Sequence, residues 1–301
     1  MHKHGWIAAV IAVVLILIGA VLFTAALSSS DWRLSNLSTV EYTTHTYTME
    51  ESFEDILAVT STADIILVPS EDESCKVVCM EAVKEPHSVT VKNGKLEILY
   101  SDTRKWYEHV TAFSMGNPQI TIYLPEERFA SINLQSATGS LQVPEGFSAK
   151  TLSLSSQTGD VECNASAHSL LLETSTGCIW AGNFAIEGHA EVYATTGLIH
   201  LDDIACQELT CSSSTGRITL AHVISQKKMD VRSDTGEIIL DGCDAPDLLI
   251  RSSTGNIIGS LLTDKVFDAE SDTGSVTVPA SLSGGSCKIR TDTGDITIRV
   301  P

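Results

Sequence analysis

The sequence predicts an all-β solenoid behind one membrane-spanning helix, and three observations carry that expectation. Nine Thr-Gly pairs recur through the C-terminal half, with glycines at Gly139, Gly159, Gly177, Gly197, Gly216, Gly236, Gly255, Gly274 and Gly294. Their intervals are 20, 18, 20, 19, 20, 19, 19 and 20 residues, and a fixed period of this size marks a stacked repeat architecture. Apolar residues hold the same positions around every glycine. Finally, an uncharged run of 22 residues, Trp6 to Leu27, opens the chain.

That run comes first in order. About 20 apolar residues cross a bilayer core. A cleaved signal peptide is the rival, although its apolar region is typically about 7–15 residues, and cleavage near Ala26 or Ser28 stays open. No cysteine lies in the tail of the run, so a bacterial-type lipid anchor there lacks support. Lys3 precedes the span, and Asp31, Arg33, Glu41 and Glu50 follow it. The positive-inside rule then predicts a cytoplasmic tail at 1–5, a signal-anchor helix at 6–27 and the remainder outside the cell membrane. Residues 28–50 are rich in Ser and Thr and read as a polar stalk.

Residues 51–130 read as a β-rich capping segment. Cys75–Met80 has the pattern of a strand, as does Gln119–Leu124, which Pro125 ends. Val89–Ile98 reads as a hairpin, with Asn93-Gly94 in a type I′ turn. A degenerate repeat lies within the segment. With Ala63 in the glycine position, Ile56, Ala58, Ile65 and Leu67 fill the apolar columns. A cap is needed because the end of a repeat stack exposes strand edges and core.

Residues 131–301 are the solenoid, about nine to ten coils of roughly 19 residues. Seven and five residues before each glycine, and two and four after, 35 of 36 positions are apolar, where 43% composition gives about 15. Gly259 is the exception. Period two on both sides of the glycine means two short strands per coil, each with one buried face. Three before the glycine stand only small residues, from Ser136 to Thr291, which reads as a tight corner. Length varies between the second strand and the next first strand, as for a loop on one side. An antiparallel meander with Thr-Gly hairpins is the alternative; the uniform columns favour parallel stacking.

The net charge is −19, which makes nucleic acid and anionic lipid poor partners. Acidity of this kind serves solubility in an extended β protein. Its sharper reading is calcium binding, by Asp234, Asp272 and Asp292 or by Asp160, Glu237 and Asp295. Ser253 interrupts the first of these columns, and calcium needs several converging oxygens. The eight cysteines read mostly as free thiols. Cys163, Cys211 and Cys287 fall in buried columns, and Cys75 and Cys79 lie too far apart along one strand to bridge. No C-x2-C zinc spacing occurs among them.

No catalytic signature stands out: there is no H-E-x-x-H, G-x-S-x-G or Walker loop. The expectation is therefore no enzyme, no catalytic or cofactor-binding residues and no metal ligands. Carbohydrate-active β-helices keep an enzyme in view, but they carry cleft-building loops, and these coils are tight. One outward column is distinctive. Three after the glycine come Trp180, His200, Thr219, Ile239 and Ile258, a partly apolar stripe about 20 Å long in a stack with 4.8 Å rungs. Such stripes mark partner surfaces, unless the variable loop folds over them. Four before the glycine, Arg232, Arg251, Glu270 and Arg290 form a charged ladder.

The units SATGSLQV, SSTGRITL, SDTGEIIL, SDTGSVTV and TDTGDITI, with the upstream TSTADIILVP, resemble the bacterial candidate-adhesin family DUF4097 over roughly residues 50–301. The resemblance implies a membrane-anchored β-solenoid at the cell surface. Some of the family are associated with envelope-stress signalling, and no agreed catalytic residues come with it. The expected function is a non-enzymatic surface scaffold or adhesin-like module. The alternative is an envelope regulator, which needs a membrane partner because a five-residue tail cannot signal alone. Wall glycan, a host surface and a membrane regulatory protein are the expected partners. The sequence stops on a bare last strand, Asp295 to Val300, so self-association through an open C-terminal coil is also expected.

Overall fold

The computed structural model describes residues 3–29, 32, 40–70, 74–105, 116–125 and 128–301. Helix α1 (Lys3–Ser29) leads. Within it, Val10–Ser29 is long and apolar enough to cross a membrane. Part of the predicted stalk, residues 30–31 and 33–39, lies outside the described residues.

Seven strands form the N-terminal region: β1 (Tyr42–Met49), β2 (Asp55–Thr60), β3 (Asp64–Pro69), β4 (Cys75–Ala82), β5 (His87–Lys92), β6 (Lys95–Tyr100) and β7 (Gln119–Leu124). Strand β1 corrects the stalk reading at its C-terminal end. It pairs antiparallel with β4, Tyr42 opposite Ala82 through Met49 opposite Cys75. The alternation in Tyr-Thr-Thr-His-Thr-Tyr-Thr-Met explains it, because Tyr47 and Met49 rest on the core while Thr44, Thr46 and Thr48 face out. The expected hairpin is β5–β6. Its turn residues Asn93 and Gly94 have φ of 54° and 75°, as a type I′ turn requires.

The repeat continues with β8 (Arg128–Ser136), β9 (Leu141–Val143), β10 (Ser148–Thr158), β11 (Val161–Cys163), β12 (Ser166–Thr176), β13 (Ile179–Ala185) and β14 (His189–Thr196). Then come β15 (Ile199–Thr215), β16 (Ile218–Ala221), β17 (Ile224–Thr235), β18 (Ile238–Cys243), β19 (Asp247–Thr254) and β20 (Ile257–Leu261). The last are β21 (Lys265–Thr273), β22 (Val276–Thr277), β23 (Gly285–Thr293) and β24 (Ile296–Arg299). First strands stack parallel as β8–β10–β12–β14–β15–β17–β19, and second strands as β9–β11–β13–β15–β16–β18–β20. Strand β15 serves both stacks, because no break separates one second strand from the next first strand. The result is a β-solenoid of about eight turns, slightly fewer than the nine to ten coils expected, and the outer repeat copies leave sequential stacking.

They leave it in the same way at both ends. The Ala63 coil, β2/β3, stacks on β8/β9, while the later coil β6/β7 lies outside it. At the other end β23/β24 inserts between β19/β20 and β21/β22. The last coil in sequence is thus covered on both sides. This corrects the expectation of an open C-terminal coil, since the outermost coil is β21/β22.

The apolar columns form one core, with Leu134, Leu154, Leu172, Cys211, Val231 and Ile250 almost fully buried. Each buried aliphatic side chain contributes roughly 1.5–3 kcal/mol. The variable segment is a third inward side of the coil. Phe184 stacks on Ile204, Cys206 on Ser225 and Cys243 on Leu261, and all six are buried. Its unequal lengths throw these residues out of phase with the glycine count, which hides them in the sequence.

The corner column is a hydroxyl ladder. Ser156 donates to the carbonyl of Gly139 at 2.9 Å, Thr174 to Gly159 at 2.9 Å, Ser271 to Gly294 at 2.8 Å and Thr291 to Gly255 at 3.1 Å. Each of these four hydroxyls reaches one rung away and stitches two coils together, whereas Ser213 and Ser233 in the same column have no such partner. The glycines are required by close approach. Gly216 has φ of 145°, and a Cβ there would overlap the carbonyl oxygen of Gly197 in the adjacent coil.

Candidate binding face

The parallel register brings the predicted stripe together on the outward side of the second-strand stack. Trp180 stands beside His200, His200 beside Thr219, Thr219 beside Ile239 and Ile239 beside Ile258. Among the described residues no loop covers it, because the variable segment runs along the third side of the coil. Trp180 is 44% exposed, and the other four are half-buried. The Trp180 and His200 rings lie 5.3 Å apart, tilted by 52°. Glu162 flanks Trp180, and Thr297 flanks Ile258. The glycine columns passed over two neighbours. Leu198, exposed, and Cys178, half-buried, stand two residues before His200 and Trp180 on the same outward face. Period-two alternation around Ile179 and Ile199 was the signal for both.

Elsewhere the polar columns are occupied by contacts within the fold. Asp160 accepts from the Cys178 N–H at 2.7 Å, and Asp295 accepts from the Ser275 N–H at 2.7 Å. Glu237 lies 3.3 Å from Arg217. These candidate calcium ligands are spent on neighbouring coils or ion pairs instead of converging on a point. The Arg ladder changes order, because the inserted coil places Arg290 directly against Arg251. Arg232 chelates Asp230 through two 2.9 Å hydrogen bonds. Partial burial pushes the Asp230 carboxyl up, but Arg232 and Lys228 more than offset this and hold it below the usual range.

All eight cysteines are free, and only Cys178 is not buried. Burial pushes the Cys163 thiol up to about 12. Cys79 is pushed to about 12 by burial first and then by the nearby Glu81 carboxylate. The second polar concentration lies here, in the N-terminal cap. Glu81, 1% exposed, accepts from His45 Nδ1 at 2.8 Å, from His87 Nδ1 at 2.6 Å and from the His87 N–H at 2.7 Å. His87 Nε2 meets Thr60 Oγ1 at 2.9 Å. A small pocket of about 10 Å³, barely room for one water molecule, adjoins Glu81, His87, Glu85 and Tyr100.

A three-sided parallel solenoid with antiparallel strands at one end and a partly apolar outer face defines a repeat scaffold of the β-solenoid class. The chain matches the Toastrack DUF4097 family over residues 53–207 and 182–301, and it belongs to that family. A candidate adhesin from Bacteroides fragilis has a similar fold, at 15% identity and a TM-score of 0.50, covering 86% of this chain and 97% of that one. A candidate adhesin from Parabacteroides distasonis is 11% identical, with a TM-score of 0.46 and coverage of 74% and 98%. No curated protein matches.

Proposed function

We propose that this protein is a non-enzymatic, adhesin-like binding module, held at the bacterial surface by α1 with its N-terminus in the cytoplasm and the solenoid outside. The observation that carries this reading is the uncovered Trp180–Ile258 stripe on a rigid, in-register sheet face. A flat face about 20 Å long at 4.8 Å per rung suits an extended ligand such as wall glycan or a host-surface polymer. A half-exposed tryptophan is the natural anchor, since aromatic side chains dominate binding hot spots. The test is cosedimentation of the protein with isolated wall glycan and binding to host surfaces. Trp180→Ala is expected to weaken binding about tenfold or more, corresponding to a loss of at least about 1.4 kcal/mol. Undiminished binding by Trp180→Ala would remove the stripe from the function.

The regulatory reading rests on α1, an apolar helix long enough to meet a membrane-protein partner within the bilayer. Crosslinking in intact cells separates the two. A stable membrane-protein adduct supports regulation, and its absence alongside glycan or host binding supports adhesion.

A further inference from the structure

The N-terminal cap brings together four side chains spread between positions 45 and 87, and we propose that His45, Cys79, Glu81 and His87 form a binding site for one divalent transition-metal ion of the zinc type. This site is separate from the Trp180 stripe and from the acidic columns.

The fold assembles it from three strands. Cys79 and Glu81, two apart on β4, point to the same buried side. His45 on β1 sits directly opposite Cys79 in the antiparallel register. His87 opens β5, and its N–H already holds the Glu81 carboxylate. Ligating atoms of Cys79, Glu81 and His87 all lie within 4.8 Å of one another, and all three residues are buried. His45 stands outside this close group and would join it as the fourth ligand by turning inward, since its Nδ1 lies 2.8 Å from Glu81 Oε1 while His87 meets Oε2. Tetrahedral zinc with bonds near 2.0–2.3 Å separates its donors by roughly 3.3–3.8 Å. The present imidazole–carboxylate contacts need to open by only about 1 Å, within reach of side-chain rotation.

Chemistry selects the ion. One sulfur, two imidazole nitrogens and a carboxylate suit zinc, whereas calcium requires an oxygen shell. The supporting contact is also in place. His87 would ligate through Nδ1 while its Nε2–H donates to Thr60 Oγ1, the kind of outer hydrogen bond that orients a metal-bound histidine. A bare cluster is costly by comparison. Glu81 is buried, and its charge is met only by two imidazoles and the His87 N–H, none of them a permanent cation. Cys79 also differs from the core cysteines Cys163, Cys211 and Cys287, which sit in aliphatic columns. On binding, the Cys79 sulfur exchanges its proton for the metal, and the proton leaves to solvent. Because the ion ties β1, β4 and β5 together, it would staple the cap.

The experiment uses the full chain in detergent, stripped by a chelator and then equilibrated with Zn²⁺ or Co²⁺ alone. The expected result is about one Zn²⁺ per chain, and a Co²⁺ form with near-ultraviolet thiolate-to-cobalt absorption. That absorption should vanish in Cys79→Ser and persist in Cys178→Ser. Thr60→Val, which keeps all four ligands, should bind about 10–100-fold more weakly. Should Cys79→Ser or His87→Ala fail to fold, the half-exposed His45 supplies the decisive variant. Zn²⁺ should then raise the melting temperature of the wild type and raise that of His45→Ala much less. No Zn²⁺ retained by the wild type, cobalt absorption indifferent to Cys79→Ser, or equal Zn²⁺ stabilisation of wild type and His45→Ala would each overturn the site.

Discussion

The two ends of the solenoid share a topological device and differ in how they are finished. Each delivers a coil out of order, so that a coil earlier or later in sequence slides between its neighbours. At the N-terminal end the outermost coil, β6/β7, is then covered by antiparallel strands, β5 along β6 and β4 with β1 along β7. Leu96, Ile98, Ile120, Ile122 and Leu124 are fully buried as a result. At the C-terminal end nothing among the described residues pairs with the outer edge of β21/β22. Phe267, Ala269 and Val278 are only partly buried, and Val276 is 41% exposed. A parallel coil cannot end itself, because it always leaves a strand edge and a cross-section of core. Reversing strand direction solves both problems at once, and among the described residues that solution is applied at the N-terminal end.

The largest expected effect breaks that contrast most directly. Ile122→Ala, in the outermost N-terminal coil, should destabilise the protein by about 2–5 kcal/mol, since the side chain is sealed in and leaves a cavity. Val278→Ala, in the outermost C-terminal coil, should cost less than about 1 kcal/mol because its site is half open to water. Chemical denaturation of the two variants checks this. Equal losses would mean that the C-terminal end is covered in solution.

Self-association comes next. The unpaired β22 edge carries Val276, whereas the neighbouring β21 edge is guarded by Asp268, Glu270 and Asp272. Two copies meeting end to end would pair the apolar part and oppose the acidic part. Sedimentation should therefore show association that strengthens with salt as the carboxylates are screened. Val276→Lys should raise the dissociation constant about tenfold, or about 1.4 kcal/mol. Association unaffected by this change, or weakened by salt, would move the contact away from this edge.

Sequence legibility follows the same division. The body was readable because a parallel stack repeats one environment, so every coil asks for the same residue type in the same column. Ile132 to Ile250 need no tertiary information beyond the period. The coil order at the ends was not readable, since Gly274 and Gly294 carry the same motif and nothing local says which lies outside. The third inward side was missed because unequal segment lengths shift Phe184, Ile204 and Val223 relative to the glycines. The polar cluster was hidden for another reason. Its residues are divided among β1, β4 and β5, which only the antiparallel cap brings together, so no short spacing announces His45 with Cys79. The Trp180 stripe, built wholly from the repeat, was visible in full apart from Leu198 and Cys178.

The smallest effect concerns how the open end is held. Asp295, on the inserted coil, accepts from both the N–H and the hydroxyl of Ser275, at 2.7 and 2.8 Å, and so ties down the outermost turn. These two hydrogen bonds hold the Asp295 carboxyl below the usual carboxylate range. A depressed carboxylate contributes its stabilisation above its ordinary pKa and loses it as pH falls through the lower, folded value. Protection of the Ser275 amide from exchange, corrected for intrinsic rate, should thus hold at neutral pH and decline below about pH 4. Asp295→Asn keeps an acceptor oxygen but cannot titrate, so its protection should be weaker at neutral pH and flat through the acid range. The equivalent link near the other end, Asp64 accepting from the Ser140 N–H at 2.7 Å, lies between coils covered on both sides. Acid should therefore loosen the Ser275 turn while Ser140 stays protected. Simultaneous loss at both would mean that acid acts on the whole solenoid, and that the two ends are held alike.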